Sequence, residues 1–477
     1  MIGPNPRHSA LLGCIGLACL AGVSGCAWLP DETPRARFLS AAELNPKAAA
    51  TKPGAQWPKI EWWREFRDPH LNHLIETALA DNPGLKNAAY RLRQAQALSD
   101  LREAQLLPLV ESGLSFSGQR FSANSIQAKL AGETFALAII NPVNLSYHLD
   151  LWGRDRAALE EALGIAEAER AEVLQARLLL SAALARAYFR LGVAVEQQKL
   201  AESMAETLRE HLRLLRVRFD NGLDGRRPLE IAQARLQEAE QRLFGAAARV
   251  KLLRHQLAAL TGKGPDWGET IRLAESPAAG DFTLPESLPL HLLARRPDVR
   301  AARLRAEAAA KAIDVAKTAF YPDVNIQGFA GLHSVSLIDA LFQGSSLAFA
   351  VGPTLELPLF EGGRLKANLE FKQAAYDSAV EAYNNILVQA LRQAADAVTR
   401  LEEIKRRTDA QADSVAAIAE NHRLTAWMKA QGLNDRTQFL ESRYARDQQV
   451  FLLRELEAEK YQALVDLIEA LGGGYAS

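Results

Sequence analysis

Cysteine, methionine and aromatic residues are scarce. The 477-residue chain has three cysteines and three methionines, and 7% of it is Phe, Trp or Tyr. Cys14, Cys19 and Cys26 all lie near the N-terminus, so the rest of the chain offers no thiol for a disulfide, a metal site or a nucleophile. Excess charge is missing as well: 56 basic against 57 acidic side chains leave a formal net charge of −1. Phosphate binding needs a basic surplus, so nothing electrostatic argues for nucleic acid as a partner. Beyond the N-terminal leader, no stretch reads as the roughly 18 apolar residues of a spanning helix. If such a chain crosses a membrane, it does so with strands. Enzyme signatures are absent too. Gly262-Lys263-Gly264-Pro265 is not placed between a strand and a phosphate-binding helix, and His70 and His73 have no nearby third metal ligand. The sequence reads as a non-enzyme without a metal or cofactor.

What is present begins with the leader. Arg7 opens a short, weakly positive start, and Ala10 to Val23 is apolar or small. This is the form of a secretory signal over residues 1–25. Val23-Ser24-Gly25-Cys26 resembles the lipobox of bacterial lipoproteins. That resemblance implies cleavage before Cys26 and a covalent lipid on its thiol, in a mature chain of residues 26–477.

Alanine and leucine dominate the remainder together with Glu, Arg and Gln, a mixture that favours long helices. It also repeats. Pro83 and Pro108 are spaced as Pro297 and Pro322 are, and Gly153 and Gly222 as Gly363 and Gly432. Leu229-Glu230 and Leu440-Glu441 suggest an offset of 211, as do Leu260 and Leu471. Such a period far exceeds that of solenoids and points to a duplicated half-molecule, with repeats at about 83–262 and 297–473. A Gly- and Pro-rich stretch over 263–290 breaks the repeat and reads as a connecting, equatorial segment outside it.

Each half has the same order of elements. Asn82-Pro83 and Arg296-Pro297 open a helix, with Asn82 as its cap and Asp298 in a first turn. Pro108 and Pro322 close it. Period-two alternation follows. Phe135, Leu137, Ile139, Val143, Leu145 and Tyr147 share one parity, and so do Leu347, Phe349, Val351 and Leu355. Val324, Ile326, Ala330 and Leu332 alternate with Asn325, Gln327 and His333, and 110–121 alternates less cleanly; together these make four strands of membrane-barrel length, joined in pairs by loops around Ser122–Thr134 and Ser334–Ser346. A soluble antiparallel sheet with one wet face fits the alternation equally well. After Gly153-Arg154 and Gly363-Arg364 the period turns helical and no proline intervenes until Gly222 and Gly432, which stop the helices and reverse the chain. A returning helix over roughly 228–260 is too short to match the outgoing one, so it is expected to stack end to end with the helix that precedes the strands. Trp57, Trp62 and Trp63 are expected to pack.

Four strands do not close a barrel, and open edges in lipid cost several kcal/mol per unpaired group. Membrane strands would therefore have to be pooled between copies. The run Arg295-Arg296-Pro297-Asp298-Val299-Arg300-Ala301-Ala302 to Phe320-Tyr321-Pro322, with Leu357-Pro358-Leu359-Phe360-Glu361-Gly362-Gly363-Arg364, resembles the outer membrane efflux protein family. Within it the chain is most similar to the NodT-type lipoprotein channels. The resemblance implies a mainly α protein with transmembrane β-structure. It implies a homotrimer in the outer membrane lipids, whose twelve-stranded β-barrel continues as a twelve-helix periplasmic α-barrel. It further implies an exit duct serving a periplasmic adaptor protein and an inner-membrane efflux pump. A lipid-anchored periplasmic helical scaffold without a channel is the alternative.

In such a duct the gate is expected where the helical hairpins turn. The candidate gate residues are Arg218, Asp220 and Asp224 at the first turn with Glu230 beyond it, and Asp435, Arg436 and Glu441 at the second. Glu230 and Glu441 follow their glycines at a spacing that matches the family. Three-fold symmetry would turn each carboxylate into a ring, and rings of like charge select cations. Solvated helix termini explain the same residues without any gate. The second turn carries Met428-Lys429 where the resemblance would place an Arg and an aromatic residue.

Overall fold

The structure is a computed structural model that describes residues 36–44, 59–120, 122, 124, 134–274, 296–335 and 341–474. The leader, Cys26, Trp57, most of the first strand-connecting loop, residues 336–340 of the second and the 263–290 segment beyond Ala274 lie outside these residues. Eleven principal elements follow one another: α1 (Pro69–Asp81), α2 (Pro83–Ala104), β1 (Leu109–Arg120), β2 (Thr134–His148), α3 (Arg154–Asp220), α4 (Arg226–Leu260), α5 (Pro297–Thr318), β3 (Asp323–Ser334), β4 (Leu347–Glu356), α6 (Arg364–Ala430) and α7 (Arg436–Ala470). From α2 onward the order helix, two strands, long helix, shorter helix occurs twice. The chain divides into two compact units, one built mainly from Leu92–Glu169 and Ala302–Tyr383, the other mainly from Arg170–Ala301 and Asn384–Ser477.

The first unit holds a four-stranded antiparallel sheet in the order β1-β2-β3-β4. The two halves of the chain meet at the β2–β3 pairing, and β1 and β4 are open edges. Register places Leu114 opposite Ile140, Val143 opposite Ala330, and Phe349 opposite Ala330 from the other side. One face therefore gathers Val110, Leu114, Phe116, Val143, Leu347, Phe349, Val351 and Leu355, all of them exposed. The other carries Asn144, Ser146, Gln327, Ala348, Ala350 and Thr354.

Strand β2 departs from the expected alternation. Three residues from Ile140 to Val143 span what two span on β3, and β1 is likewise one residue short between Glu111 and Gly113. The extra residue is a bulge at Asn141-Pro142, where proline has no N–H to give the ladder. It reverses the parity, so Leu137 and Ile139 pair with Ser117, Ser115 and His333, on the face opposite Val143 and Leu145. Their single apolar face, as expected from the sequence, is corrected here. Gly331 makes the bulge possible: a Cβ there would lie 2.2 Å from the Ile140 carbonyl oxygen. In the same unit α3 packs on α5, through Glu160–Lys311 at 2.6 Å and Glu169–Arg305 at 3.1 Å.

In the second unit the end-to-end stacking is seen at both joints. Asn82 caps α2 by accepting from the Leu85 N–H at 3.0 Å, and its amide donates to the carbonyl of Leu260, the last residue of α4, at 2.9 Å. At the second joint the buried Arg296 donates to the carbonyl of Ala470, the last residue of α7, at 3.0 Å and to Asp298 at 2.8 Å. Orphan helix-end groups are thus satisfied across each joint. The pre-strand helices stop at Ala104 and Thr318 rather than at the prolines. The α conformation is disfavoured before proline, and a tightened turn fills the gap.

Trp62, Trp63 and Phe66 are buried in one core cluster with Tyr188, Phe189, Leu191, Leu257 and Val465, so the expected packing of Trp62 and Trp63 holds. One 18-residue window of α3 is, at a mean hydropathy of 1.5, apolar enough to cross a bilayer, contrary to the sequence expectation. It is 61% buried within the protein, as a core helix is.

Helices α3 and α6 each contain 67 residues, about 100 Å at 1.5 Å per residue. Helix α3 runs antiparallel to α7 along a polar ladder. Glu196 meets Arg454 at 2.8 Å, Ser203 donates to Asp447 at 2.9 Å, and Glu210 pairs with Arg436. The α3 positions are seven apart, the spacing of an antiparallel coiled-coil seam.

Candidate gate at the helical hairpin turns

Both turns in the second unit are built alike. Helix α3 ends at Asp220 and Gly222 takes φ +69°. The Leu223 N–H then reaches the Arg218 carbonyl at 2.8 Å and the Gly222 N–H that of Phe219 at 2.9 Å. Helix α6 ends at Ala430, Gly432 takes φ +73°, and Leu433 reaches Met428 at 2.9 Å. This left-handed C-terminal motif satisfies the last carbonyls and needs glycine at its centre. Leu223 and Leu433 are left projecting, both 69% exposed.

The turns differ in charge at equivalent positions. In the first, Arg218 grips Asp224 through two bonds, Nε to Oδ2 at 2.6 Å and Nη2 to Oδ1 at 3.1 Å. That grip holds the Asp224 carboxyl below its usual range and the Arg218 guanidinium above its own. Exactly 210 residues on, the pair is Met428 and Asn434, and the Asn434 amide lies 3.7 Å from the Met428 sulfur. The geometry is retained and the charge is deleted. The next position reverses the chemistry. Gly225 precedes α4 with no side-chain cap, whereas Asp435 caps α7 by accepting from the Gln438 N–H at 2.9 Å.

Arg226 pairs with Glu230 along the exposed side of α4 at 2.9 Å. Its equivalent, Arg436, reaches out of its own helix to Glu210 on α3. Asp220 is the exposed last residue of α3. Lys429 sits 4.1 Å from the centre of the Phe439 ring, an attractive cation–π contact.

Glu230 and Glu441 are not counterparts. Helices α4 and α7 begin 210 residues apart and each has 35 residues, so the offset of 211 is corrected. The counterpart of Glu230 is the buried Leu440, and that of Glu441 is Ile231. One residue is about 100° around a helix, so the two glutamates occupy different faces.

Two histidines near the turns escaped the sequence reading. His211 on α3 is buried and its Nε2 has no hydrogen-bond partner. Burial pushes it below the usual histidine value, and Arg235 adds to this against the opposing pull of Glu441 and Asp435. His422 on α6 is lowered as well, first by burial and then by Arg446. Its Nδ1 lies 2.9 Å from the Ser442 hydroxyl and its ring 5.2 Å from that of Phe439. Glu210 is far from Arg436 in sequence, and no local pattern announces the pair. The structure thus joins Arg218 to Asp224, and Glu230 and Arg436 to partners outside the candidate set. Asp435 is tied into a helix cap.

Comparison with known proteins bears on this arrangement. Residues 74–263 and 288–473 match the profile described as outer membrane efflux protein. The multidrug resistance outer membrane protein MdtP of Escherichia coli is 30% identical over 479 residues, covering 99% of this chain and 98% of that one. The fusaric acid resistance protein FusA of Burkholderia cepacia is 35% identical over 370 residues, 76% of this chain and 70% of that one. Among solved structures, the outer membrane protein VceC of Vibrio cholerae aligns with a TM-score of 0.78 at 33% identity, over 88% of this chain and all of that one. The outer-membrane channel OprN aligns at 0.80 with 27% identity, over 94% and 99%.

Proposed function

The chain belongs to the outer membrane efflux protein family, and on that premise we propose that it is the outer-membrane exit duct of a tripartite efflux system. In this reading three copies pool their strands into a twelve-stranded barrel and their long helices into a periplasmic tube. The duct is passive, taking solutes or drugs from an inner-membrane pump through a periplasmic adaptor. Cys26 carries the covalent lipid that adds an anchor to the inserted sheet.

The observation that carries this is the sheet of the first unit. Among the described residues it has four antiparallel strands, an exposed apolar face and two unpaired edges. Such edges have no tolerable state in lipid unless another copy pairs with them. The opposite face bears Asn, Ser, Gln, Thr and Ala side chains interspersed with Leu137, Ile139 and Phe329, a mixed and largely polar surface that supports a wetted lumen. In the same reading the hairpin turns form the gate, and the Arg218–Asp224 grip and the Glu210–Arg436 pair hold its closed state.

Purified protein in planar bilayers should give discrete conductance steps, and detergent-solubilised samples should run as a heat-dissociable trimer. A water-soluble monomer after Cys26→Ser, with no conductance, would refute the duct and leave the scaffold.

A further inference from the structure

The root of the sheet contains one finished contact and the two halves of an unfinished one. Just past β2, the Trp152 ring stacks on Tyr321 with centroids 5.0 Å apart and planes at 21°. Its indole N–H donates to the Pro322 carbonyl at 2.7 Å. The aromatic residue that follows an outgoing strand thereby covers the Tyr-Pro pair that leads into the next strand, β3.

In the second half, β4 runs out through Leu357-Pro358-Leu359-Phe360, the counterpart of Leu149-Asp150-Leu151-Trp152. Among the described residues no strand lies beyond β4. Phe360 is 92% exposed and Leu359 82%, the highest values among large apolar side chains of the described residues. At the opposite edge, β1 is entered through Leu107-Pro108, the counterpart of Tyr321-Pro322. Leu107 is 65% exposed.

We propose that Phe360 of one copy packs on Leu107 and Pro108 of the next, at the seam where β4 meets β1. The proposal rests on the trimer of the proposed function and assigns the side chains that lock it. The occupant is a second copy because the chain itself carries both complementary halves, on the two edges that must meet if the sheet is to close. The internal β2–β3 junction is the template. Two features separate the seam from that template. Phe360 has no side-chain N–H to match the indole of Trp152, so the side-chain contact is apolar throughout and insensitive to salt. Its turn is longer by Glu361 and Gly362, and Glu361 accepts from Arg364 Nε at 2.6 Å.

The test uses full-length protein in outer membranes carrying Phe360→Cys together with Leu107→Cys. Mild oxidation should give dimer and trimer bands on non-reducing gels, and neither single variant should. Trp152→Cys with Tyr321→Cys should link within one chain and add no higher band. If the double variant migrates as a trimer on native gels yet does not cross-link, the contact is overturned while the trimer stands. If it migrates as a monomer, contact and trimer fall together. Independently, Phe360→Ala should lower the temperature at which trimers dissociate and Phe360→Trp should restore it. Quenching of that tryptophan by brominated lipid, without cross-linking, would assign the patch to the bilayer and overturn the proposal.

Discussion

Asp447→Asn isolates one rung of the ladder between α3 and α7. The Asp447 side chain is 3% exposed and accepts from Arg446 at 2.6 Å and from the Ser203 hydroxyl at 2.9 Å. Asparagine keeps the shape and one acceptor but removes the charge that Arg446 answers. A hydrogen bond to a charged group contributes about 1.5–3 kcal/mol. Arg446 is 36% exposed, so water recovers part of the loss and the lower end applies, about 1.5–2 kcal/mol. That is roughly a ten- to thirtyfold rise in the fraction of molecules in which this rung is open. Ser203→Ala removes a donor to the same charged group and should cost a comparable amount, about 1.5–2 kcal/mol. The double variant should fall short of the sum, because both changes act on the same carboxylate. Hydrogen exchange of the α7 amides around 443–450, read by mass spectrometry on the full chain, reports this opening. If the rung holds the hairpins shut, open probability in bilayers rises in step. Exchange within twofold of the wild type would show that the buried carboxylate bears no part of the helix pairing.

The turns yield further predictions. Installing Met428→Arg with Asn434→Asp gives the second turn the ion pair of the first; open probability should fall at 0.1 M salt and recover at about 1 M, where screening is strong. Glu441→Gln should reduce cation selectivity more than Glu230→Gln, since Glu230 already faces Arg226 on α4; equal effects would restore the two glutamates as counterparts. His211 carries a lowered value in the folded protein, so its contribution is present above the ordinary 6.5 and lost as pH falls below that toward the lowered value. Acidification should therefore raise open probability in the wild type, and His211→Leu should flatten that step. Gly331→Val should abolish trimers on native gels, because its side chain has no room beside the Ile140 carbonyl.

Much of the fold is written in short-range chemistry. Helix ends are fixed by local motifs: glycine in the left-handed region at 222 and 432, Asn82 at an N-terminus, and proline at 83 and 297. Each acts within four residues, so spacing alone locates the long helices. The β2 bulge was hidden because Asn141-Pro142 announces a break without saying how many residues the neighbouring strands will skip. That is decided across the sheet, by the room that Gly331 and Gly113 leave.

The candidate site was legible only where its partners are neighbours in sequence. Arg218–Asp224 and Arg226–Glu230 lie within a turn or two, so the charges at the turns single out Arg218, Asp224 and Glu230 although not their pairing. Arg436–Glu210 and the burial of His211 arise from the register of α3 against α7, which a single chain does not display as a motif. The same distinction explains why repeat matching misled at Glu230 and Glu441. Similarity of residue type tolerates an offset of one, but a helix does not. Buried Leu440 at the true counterpart of Glu230 shows what the register selects for: an apolar residue beneath α7 where α4 presents charge to water. Duplication has therefore preserved backbone geometry at both turns while the side chains diverged. The Arg218–Asp224 pair is thus confined to one of two equivalent turns, while the second turn places Arg436 against Glu210 on α3.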